Sequence, residues 1–213
     1  MPKVTLTYEQ WLDPEVRYWS EAGFEQGVAR YERYLDLFSL APDSLRGQWV
    51  LDLGCGPFGG MFSVLEGVSR ACAVDIRAQK YNAWGLSPVP IIAPDLRGKC
   101  DVTPGSIDAA FCLNIFGQTQ APMAVATELA RAVRQGGLLY FFARITPPTK
   151  QVPGFRIQDL GKWFGFPPVA RRRPRRPSPF SLCWRWGWFG RGPDRIDLDS
   201  YLERAVWGIL ERT

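Results

Sequence analysis

Residues 49–60 read WVLDLGCGPFGG, and this stretch decides the fold. Its apolar start, 49–53, is typical of a buried parallel strand, and glycines then break the strand before a helical pattern resumes at 61–68. Glycine is favoured where the backbone turns with positive φ or lies against a ligand. The free backbone N–H groups in the first turn of a helix can donate hydrogen bonds to polar ligand atoms. The stretch therefore predicts a strand, a glycine loop and a helix that bind a nucleotide-like ligand.

Two carboxylates restrict the ligand further. Asp52 lies at the strand end, where it would repel a pyrophosphate and attract a sulfonium or ammonium group. Asp75 follows the apolar run 71–74, at the distance from the glycines where Rossmann-type folds place an acceptor for both ribose hydroxyls. Gly54, Gly56 and Gly59 also satisfy the G-x-G-x-x-G dinucleotide pattern, so adenosine is indicated while NAD stays open.

Composition sets the outer limits. The 213 residues are 46% hydrophobic, which suits one α/β domain. The sequence lacks histidine, which excludes Ser-His-Asp chemistry and histidine-bound metals, and its five cysteines form no C-x-x-C pair. Neither a membrane-spanning run nor a signal peptide is recognisable, so a cytoplasmic protein without a membrane partner is expected. The net charge of +5 permits anionic partners, nucleic acid included.

The chain before the glycine loop predicts helices. Asp13 and Pro14 form an N-cap and first helical position, and Gly23 interrupts the helix. From Phe24 onward, apolar residues recur at helical spacing, as expected of a helix that covers the sheet. The members of this stripe are Phe24, Val28, Tyr31, Leu35 and Phe38.

A second βαβ unit follows the loop region. The range 89–93 predicts a third strand, 107–113 a fourth strand, 122–133 a helix, and 138–145 a fifth strand. Gly136 and Gly137 are interpreted as the stop of the helix.

In this order, the stretches at 48–145 resemble the class I S-adenosylmethionine-dependent methyltransferases, notably the ubiquinone and menaquinone subgroup. The resemblance implies a Rossmann-like, doubly wound α/β fold: a mostly parallel seven-stranded sheet with an antiparallel last strand and an N-terminal helical cap. It implies one domain, with a cap at 1–46, a cofactor-binding core at 47–145 and substrate-side elements at 146–213. The residues that carry it are Asp52 to Gly56, Asp75, Asp95-Leu96, Glu128, Arg131 and Gly136-Gly137.

The resemblance also implies a site for S-adenosylmethionine, in which Asp95 receives the adenine amine and Asn114 contacts the methionine part. The cofactor-binding candidates are Asp52, Gly54, Cys55, Gly56, Asp75, Ile76, Asp95, Leu96 and Asn114. Many relatives carry a histidine where this chain has Gln118, and glutamine cannot carry a proton at neutral pH. No catalytic base is therefore identified; the substrate-side candidates are Gln118, Tyr18, Trp19, Arg173, Arg175 and Arg176.

The last third of the chain is interpreted from the same resemblance. A helix at 157–164 leads to a sixth strand at 169–172, and 180–189 alternates as an antiparallel strand should. An amphipathic helix at 198–210 would pack on the domain or on a second subunit, which allows a homodimer. The arginine run at 171–176 would then lie at the carboxyl edge of the sheet, either as an anion site or as a solvated loop.

These features predict metal-independent, in-line methyl transfer to a small, anionic acceptor. Three alternatives stay open: an RNA methyltransferase that uses the arginine run, a non-catalytic S-adenosylmethionine-binding subunit, and an NAD-dependent oxidoreductase. The last lacks a recognisable hydride-transfer motif.

Overall fold

The computed structural model describes residues 13–95, 99–144, 180–189 and 205–212. The helices are α1 Pro14–Phe38, α2 Ala78–Asn82 and α3 Pro122–Ala132. The strands are β1 Trp49–Leu53, β2 Arg70–Val74, β3 Ile91–Ile92, β4 Ile107–Leu113, β5 Val133–Arg144, β6 Phe180–Phe189 and β7 Ala205–Arg212.

The strands form one seven-stranded sheet in the order β3-β2-β1-β4-β5-β7-β6. Strands β1 to β5 pair in parallel, and β7 lies antiparallel between β5 and β6. The strand order reverses between β1 and β4, where open α/β sheets bind their ligands. The predicted Rossmann-like α/β class, with its mostly parallel seven-stranded sheet, is confirmed.

Helices cover both faces of the sheet. Successive side chains of the central strands point to opposite faces, and the apolar side chains on both faces are buried. Helix α1 packs its aromatic residues on one face, with Phe38 against Tyr140 and Tyr34 against Phe142, each at 5.3 Å between ring centres. Helix α3 buries Leu129 against the opposite face. Burying a side chain of this size contributes about 1.5–3 kcal/mol, so these contacts fix where each helix sits.

Helix α1 begins and bends where the sequence predicts. The Asp13 carboxylate caps it by accepting from the backbone N–H groups of Glu15 and Val16, and Pro14 occupies the first turn. Gly23, with φ 75°, kinks the helix between its two segments. The second segment then turns a buried stripe that includes Tyr31, Leu35 and Phe38 towards the sheet.

The helix predicted at 61–68 is wrong. A single 3-10 turn, Gly60–Ser63, follows the glycine loop, and the chain then leads to β2 without a further helix. Glycines with positive φ bound the segment: Gly59 and Gly60 at its start and Gly67 before β2. Apolar residues at helical spacing, such as Met61 and Leu65, instead belong to a compact turn buried in the core.

Further boundaries differ from prediction, and β3 covers only Ile91–Ile92 of the strand predicted at 89–93. Helix α3 ends at Ala132, and the glycine pair 136–137 lies inside β5, beside an irregularity in its pairing with β4, so the glycines mark a bulge and not a helix stop. The helix predicted at 198–210 is wrong from residue 205 onward, because this part is β7. The run VWGIL fits either element by pattern; pairing with β5 and β6 selects the strand, which removes the basis for a helix-mediated dimer.

The range 180–189 is a strand, as predicted, and it takes the place of the sixth strand. The helix and strand predicted at 157–164 and 169–172 lie outside the described residues. Among the helices that the structure describes, none has the length and apolar character needed to cross a bilayer.

Candidate active site

The glycine loop leaves β1 at the carboxyl edge of the sheet and is fastened to the neighbouring strand. The backbone N–H groups of Gly54 and Cys55 both donate to the carbonyl of Val74, at 2.7 and 3.2 Å. Gly54 and Gly56 have φ values of 81° and 66°, which side chains with a Cβ rarely adopt. The predicted need for glycine at these two positions therefore follows from the backbone itself.

The buried side chain of Asp52 stabilises the loop through a hydrogen bond to its backbone. It is 1% exposed, and its Oδ2 accepts a 2.7 Å hydrogen bond from the backbone N–H of Met61. Burial raises the pKa of the Asp52 carboxyl to about 7, although the Met61 bond favours the charged form. The carboxylate thus points into the loop, as predicted, and it orders the loop backbone directly.

The unfolding free energy is expected to fall as pH rises from about 4 to about 7. The folded-state pKa of Asp52, about 7, exceeds its ordinary value of 3.8, so the folded protein binds more protons than the unfolded chain in this window. The slope reaches about 1.4 kcal/mol per pH unit for one such group. Urea unfolding of the parent and Asp52→Asn between pH 4.5 and 7.5 measures it.

The pH slope of Asp52→Asn should be shallower but not flat, because burial also raises the pKa of Asp75. Asp13 does not interfere: partial burial raises its pKa, but the bonds from Arg77 and Lys80 outweigh this and lower it to about 2. Its stabilising contribution is therefore lost only below about pH 4. Equal slopes in parent and variant would contradict the assignment to Asp52.

Asp75 joins β2 to the glycine loop. Its Oδ2 accepts from the backbone N–H of Gly56 at 3.1 Å, and its Oδ1 accepts from the N–H of Arg77 at 2.8 Å. A carboxylate offers about four acceptor sites, so this pairing leaves capacity for hydroxyl donors. Ile76, the next residue, is 75% exposed, which is unusual for a large apolar side chain at the edge of a core.

The start of α1 forms a wall beside this loop. Asp13 accepts from Arg77 Nε at 3.0 Å and from Lys80 Nζ at 2.9 Å, which fastens the helix next to Asp75. The Tyr31 hydroxyl donates to the carbonyl of Cys55 at 2.8 Å. Trp19 lies so close that a Cβ on Gly56 would be 3.7 Å from its ring. Of the two substrate-side candidates on α1, Tyr18 and Trp19, it is therefore Trp19 that is buried against the loop.

Tyr18 faces outward and is 37% exposed, and the guanidinium of Arg30 donates to its hydroxyl. No motif in the sequence pointed to Arg30. Its position directly before Tyr31, a member of the core-facing stripe, is the signal that could have identified it.

The other predicted residues lie around the same edge. Asn114 directly follows β4 and has a φ of 63°, and its N–H donates to the carbonyl of Phe142 at 2.6 Å. Gln118 is exposed in the loop that follows. Asp95 is exposed, and its Oδ1 closes a turn by accepting from the N–H of Lys99 at 2.8 Å. Leu96 lies outside the described residues.

The three predicted arginines, Arg173, Arg175 and Arg176, also lie outside the described residues. They were assigned to the carboxyl edge because a sixth strand was predicted at 169–172, before them. The strand in that place is β6, which begins at Phe180, after the arginines.

The Glu128 and Arg131 pair is structural. Glu128 is 4% exposed, and its carboxylate accepts from Arg131 and from the backbone N–H of Cys100. Arg131 also donates to the carbonyls of Cys100 and Val102. The pair thus holds the segment after Asp95 onto α3.

Comparison with known proteins agrees with this geometry. A family model described as "Methyltransferase domain" matches residues 51–141, the range that contains the glycine loop, Asp75, Asn114 and the Glu128 pair. Over these residues the chain is similar to the class I S-adenosylmethionine-dependent methyltransferases. The cofactor of this family is S-adenosylmethionine, and the motif order predicted at 48–145 is the one that the match covers.

A curated relative, the ubiquinone biosynthesis O-methyltransferase of Idiomarina loihiensis, is 28% identical over 107 residues, which cover 46% of this chain and 43% of the relative. The chain thus spans less than half of that protein. A SAM-dependent methyltransferase from Aquifex aeolicus aligns with a TM-score of 0.55 at 15% identity, over 86% of this chain and 89% of the other. The [4+2]-cyclase SpnF aligns with a TM-score of 0.54 at 13% identity, over 88% and 82%. At these identities the structural matches show the fold alone.

Proposed function

We propose that this methyltransferase domain transfers a methyl group from S-adenosylmethionine to a small anionic acceptor, without a metal. The observation that carries the choice of cofactor is the bond from the Gly56 amide to the Asp75 carboxylate, beside the exposed Ile76. This bond brings together the glycine loop, which a ligand can approach closely, and Asp75, an acceptor for the ribose. Ile76 adds an apolar surface for adenine, and all three lie at the edge where open α/β sheets bind their ligands. The donor set therefore fits the cofactor.

The cofactor supplies a methyl group that is already activated on a sulfonium. The residues of this chain would then bind and orient: Asp75 the ribose, Ile76 and Asp95 the adenine, and the loop 54–56 with Asn114 the methionine part. Trp19 and the kinked α1 would exclude water from the edge of the sheet. Holding two reactants in line is worth several orders of magnitude in rate.

Proton removal is a secondary task in this proposal. Burial raises the pKa of Tyr31 well above its ordinary range, and its hydroxyl already donates to Cys55, so Tyr31 is unsuited as a base. Gln118 is exposed near the site but cannot accept a proton at neutral pH. The carboxylates of Asp108 and Glu128 accept from Arg134 and Arg131, respectively. An acceptor that ionises in water fits these residues.

Asp75→Ala is expected to weaken binding of S-adenosylmethionine and S-adenosylhomocysteine by about 1–3 kcal/mol, because a charged acceptor for the ribose is lost. Calorimetry measures both affinities, and Asp43→Ala, an exposed aspartate in a 4.0 Å surface pair, serves as the control. An unchanged affinity would remove the assignment of Asp75. Tight binding of NADH without binding of S-adenosylmethionine would overturn the proposed function.

A second candidate, a non-catalytic S-adenosylmethionine-binding subunit, is favoured by Gln118, which cannot carry a proton at neutral pH. Transfer of labelled methyl from S-adenosylmethionine to a small-molecule extract or to total RNA decides between the candidates. Label in small molecules supports the proposal, and label in RNA supports the RNA methyltransferase. Cofactor binding without label in either fraction supports the non-catalytic protein.

A further inference from the structure

A cation lies among aromatic rings on α1, beside the site described above. The Cζ of Arg30 is 4.9 Å from the centre of the Trp19 ring and 5.5 Å from that of Tyr18. Its guanidinium donates to the Tyr18 hydroxyl. Arg30 is half-buried, and it takes part in none of the ion pairs found in the described ranges. A partly desolvated guanidinium that has no carboxylate partner among the described residues is an attractive partner for an anion.

The packing of α1 places this cation at the carboxyl edge of the sheet. Towards its end, Phe38 contacts Tyr140; one turn earlier, Tyr34 contacts Phe142, two residues further along β5. The helix therefore runs against the strand direction, and Arg30 lies one more turn, about 5.4 Å, towards the carboxyl edge. Trp19, over which Arg30 stacks, also packs on Gly56. One indole ring thus separates the guanidinium from the glycine loop.

We propose that Arg30 binds the anionic oxygens, carboxylate or phosphate, of the methyl acceptor, with the Tyr18 hydroxyl as its second ligand. This inference rests on the proposed function and names the group that selects its acceptor. The guanidinium has five N–H donors in a planar fork that matches both anions, and the bond to Tyr18 uses one of them. Tyr18 accepts from Arg30 and can donate its own hydroxyl hydrogen to the anion.

The aromatic surroundings make the site pre-organised. Stacking over two rings restricts the arginine side chain before any ligand arrives, so less conformational entropy is lost on binding. Partial burial also lowers the effective dielectric constant, which strengthens the attraction between the guanidinium and an anion. If Arg30 served only to pack on the two aromatic rings, its replacement would leave the affinity for anions unchanged.

The test first measures S-adenosylhomocysteine binding by calorimetry in the parent, Arg30→Gln, Arg30→Lys, Tyr18→Phe and the control Arg46→Gln. Arg46 suits the comparison because it is an exposed arginine just before β1, at the opposite edge of the sheet. The proteins loaded with S-adenosylhomocysteine are then titrated with benzoate, phenyl phosphate and the neutral benzamide. The preference between the two anions identifies which group the acceptor carries.

In the parent, benzoate or phenyl phosphate should bind more tightly than benzamide. Arg30→Gln should weaken that binding about ten- to hundredfold, as expected for a lost charge-assisted pair, while Arg46→Gln leaves it unchanged. Arg30→Lys should retain part of the affinity, because it keeps the charge without the fork. Tyr18→Phe should lose a smaller part.

Three results would overturn the assignment of Arg30: anions that bind the parent no better than benzamide, Arg30→Gln that binds them like the parent, or equal losses in Arg30→Gln and Arg46→Gln. If Arg30→Gln also fails to bind S-adenosylhomocysteine, the anion affinities of Arg30→Lys and Tyr18→Phe decide whether the anion site exists. Unchanged anion affinity in both would then refute the site, and a reduced affinity with intact cofactor binding would support it. A parent protein that fails to bind S-adenosylhomocysteine would instead refute the proposed function, and this inference with it.

Discussion

Gly60→Ala should lower the unfolding free energy by about 3 kcal/mol and abolish measurable cofactor binding. Gly60 has a φ of 61°, and left-handed backbone costs about 1 kcal/mol for a residue with a Cβ. The added methyl would also overlap Asp52 Oδ2 and come within 3.0 Å of the Cα of Cys55. Neither neighbour can move freely, because Asp52 is buried and bonded to Met61 and Cys55 belongs to the loop backbone.

Gly85→Ala provides a matched control. Gly85 has a similar φ of 65°, but a Cβ there meets no atom within 4 Å, so only the cost of the backbone conformation remains. Comparing the unfolding free energies of both variants in urea separates the cost of the atomic overlap from the cost of the backbone conformation. Calorimetry with S-adenosylhomocysteine measures whether the loop still binds the cofactor. In an Asp52→Ala background, Gly60→Ala should cost less, since its main obstacle is gone. Equal losses in Gly60→Ala and Gly85→Ala would contradict the overlap argument.

Glu128→Ala should lower the unfolding free energy by about 3–5 kcal/mol, the range found when one partner of a buried ion pair is removed. Its Oε1 accepts from Arg131 Nη2 at 2.5 Å and from the Cys100 N–H at 2.8 Å, and its Oε2 accepts from Arg131 Nε at 2.7 Å. The truncation would leave a partly buried guanidinium without its counter-ion and a buried backbone donor without an acceptor. Urea unfolding at neutral pH measures the loss.

Glu128→Gln should cost less than Glu128→Ala, because the amide oxygen can still accept from Cys100. Asp43→Ala, which removes an exposed partner of Arg46, should change the unfolding free energy by no more than about 1 kcal/mol. A Glu128→Ala variant as stable as Asp43→Ala would show that the pair is not important for folding. Lys99, which donates to Asp95, directly precedes Cys100, so we also expect a modest loss of cofactor affinity in Glu128→Ala.

Local patterns in the sequence were sufficient for the parts of the fold that lie close together along the chain. The apolar run 49–53, its glycines and the carboxylate at 75 predicted β1, the loop turns and the end of β2. Asp13, Pro14 and Gly23 predicted where α1 begins and kinks. Each of these features depends on backbone conformation within a few residues, which residue type largely determines.

The tertiary structure decided the features that depend on contacts between distant residues. An apolar run in the last ten residues fits a helix or a strand, and only pairing with β5 and β6 makes it β7. The same holds for Glu128, which looks like a surface residue until the segment at Cys100 covers it. Arg30 lies near the glycine loop because α1 folds it over Trp19, which packs on Gly56.

The sequence by itself thus determined the α/β class and the strand and turn conformation of the glycine loop, because turn geometry and hydrophobic periodicity are local properties. It could not determine the length of the turn after the loop, the burial of Glu128 or the position of Arg30. These depend on which surfaces meet when the chain is packed, and the free energy of that packing comes from residues far apart in sequence.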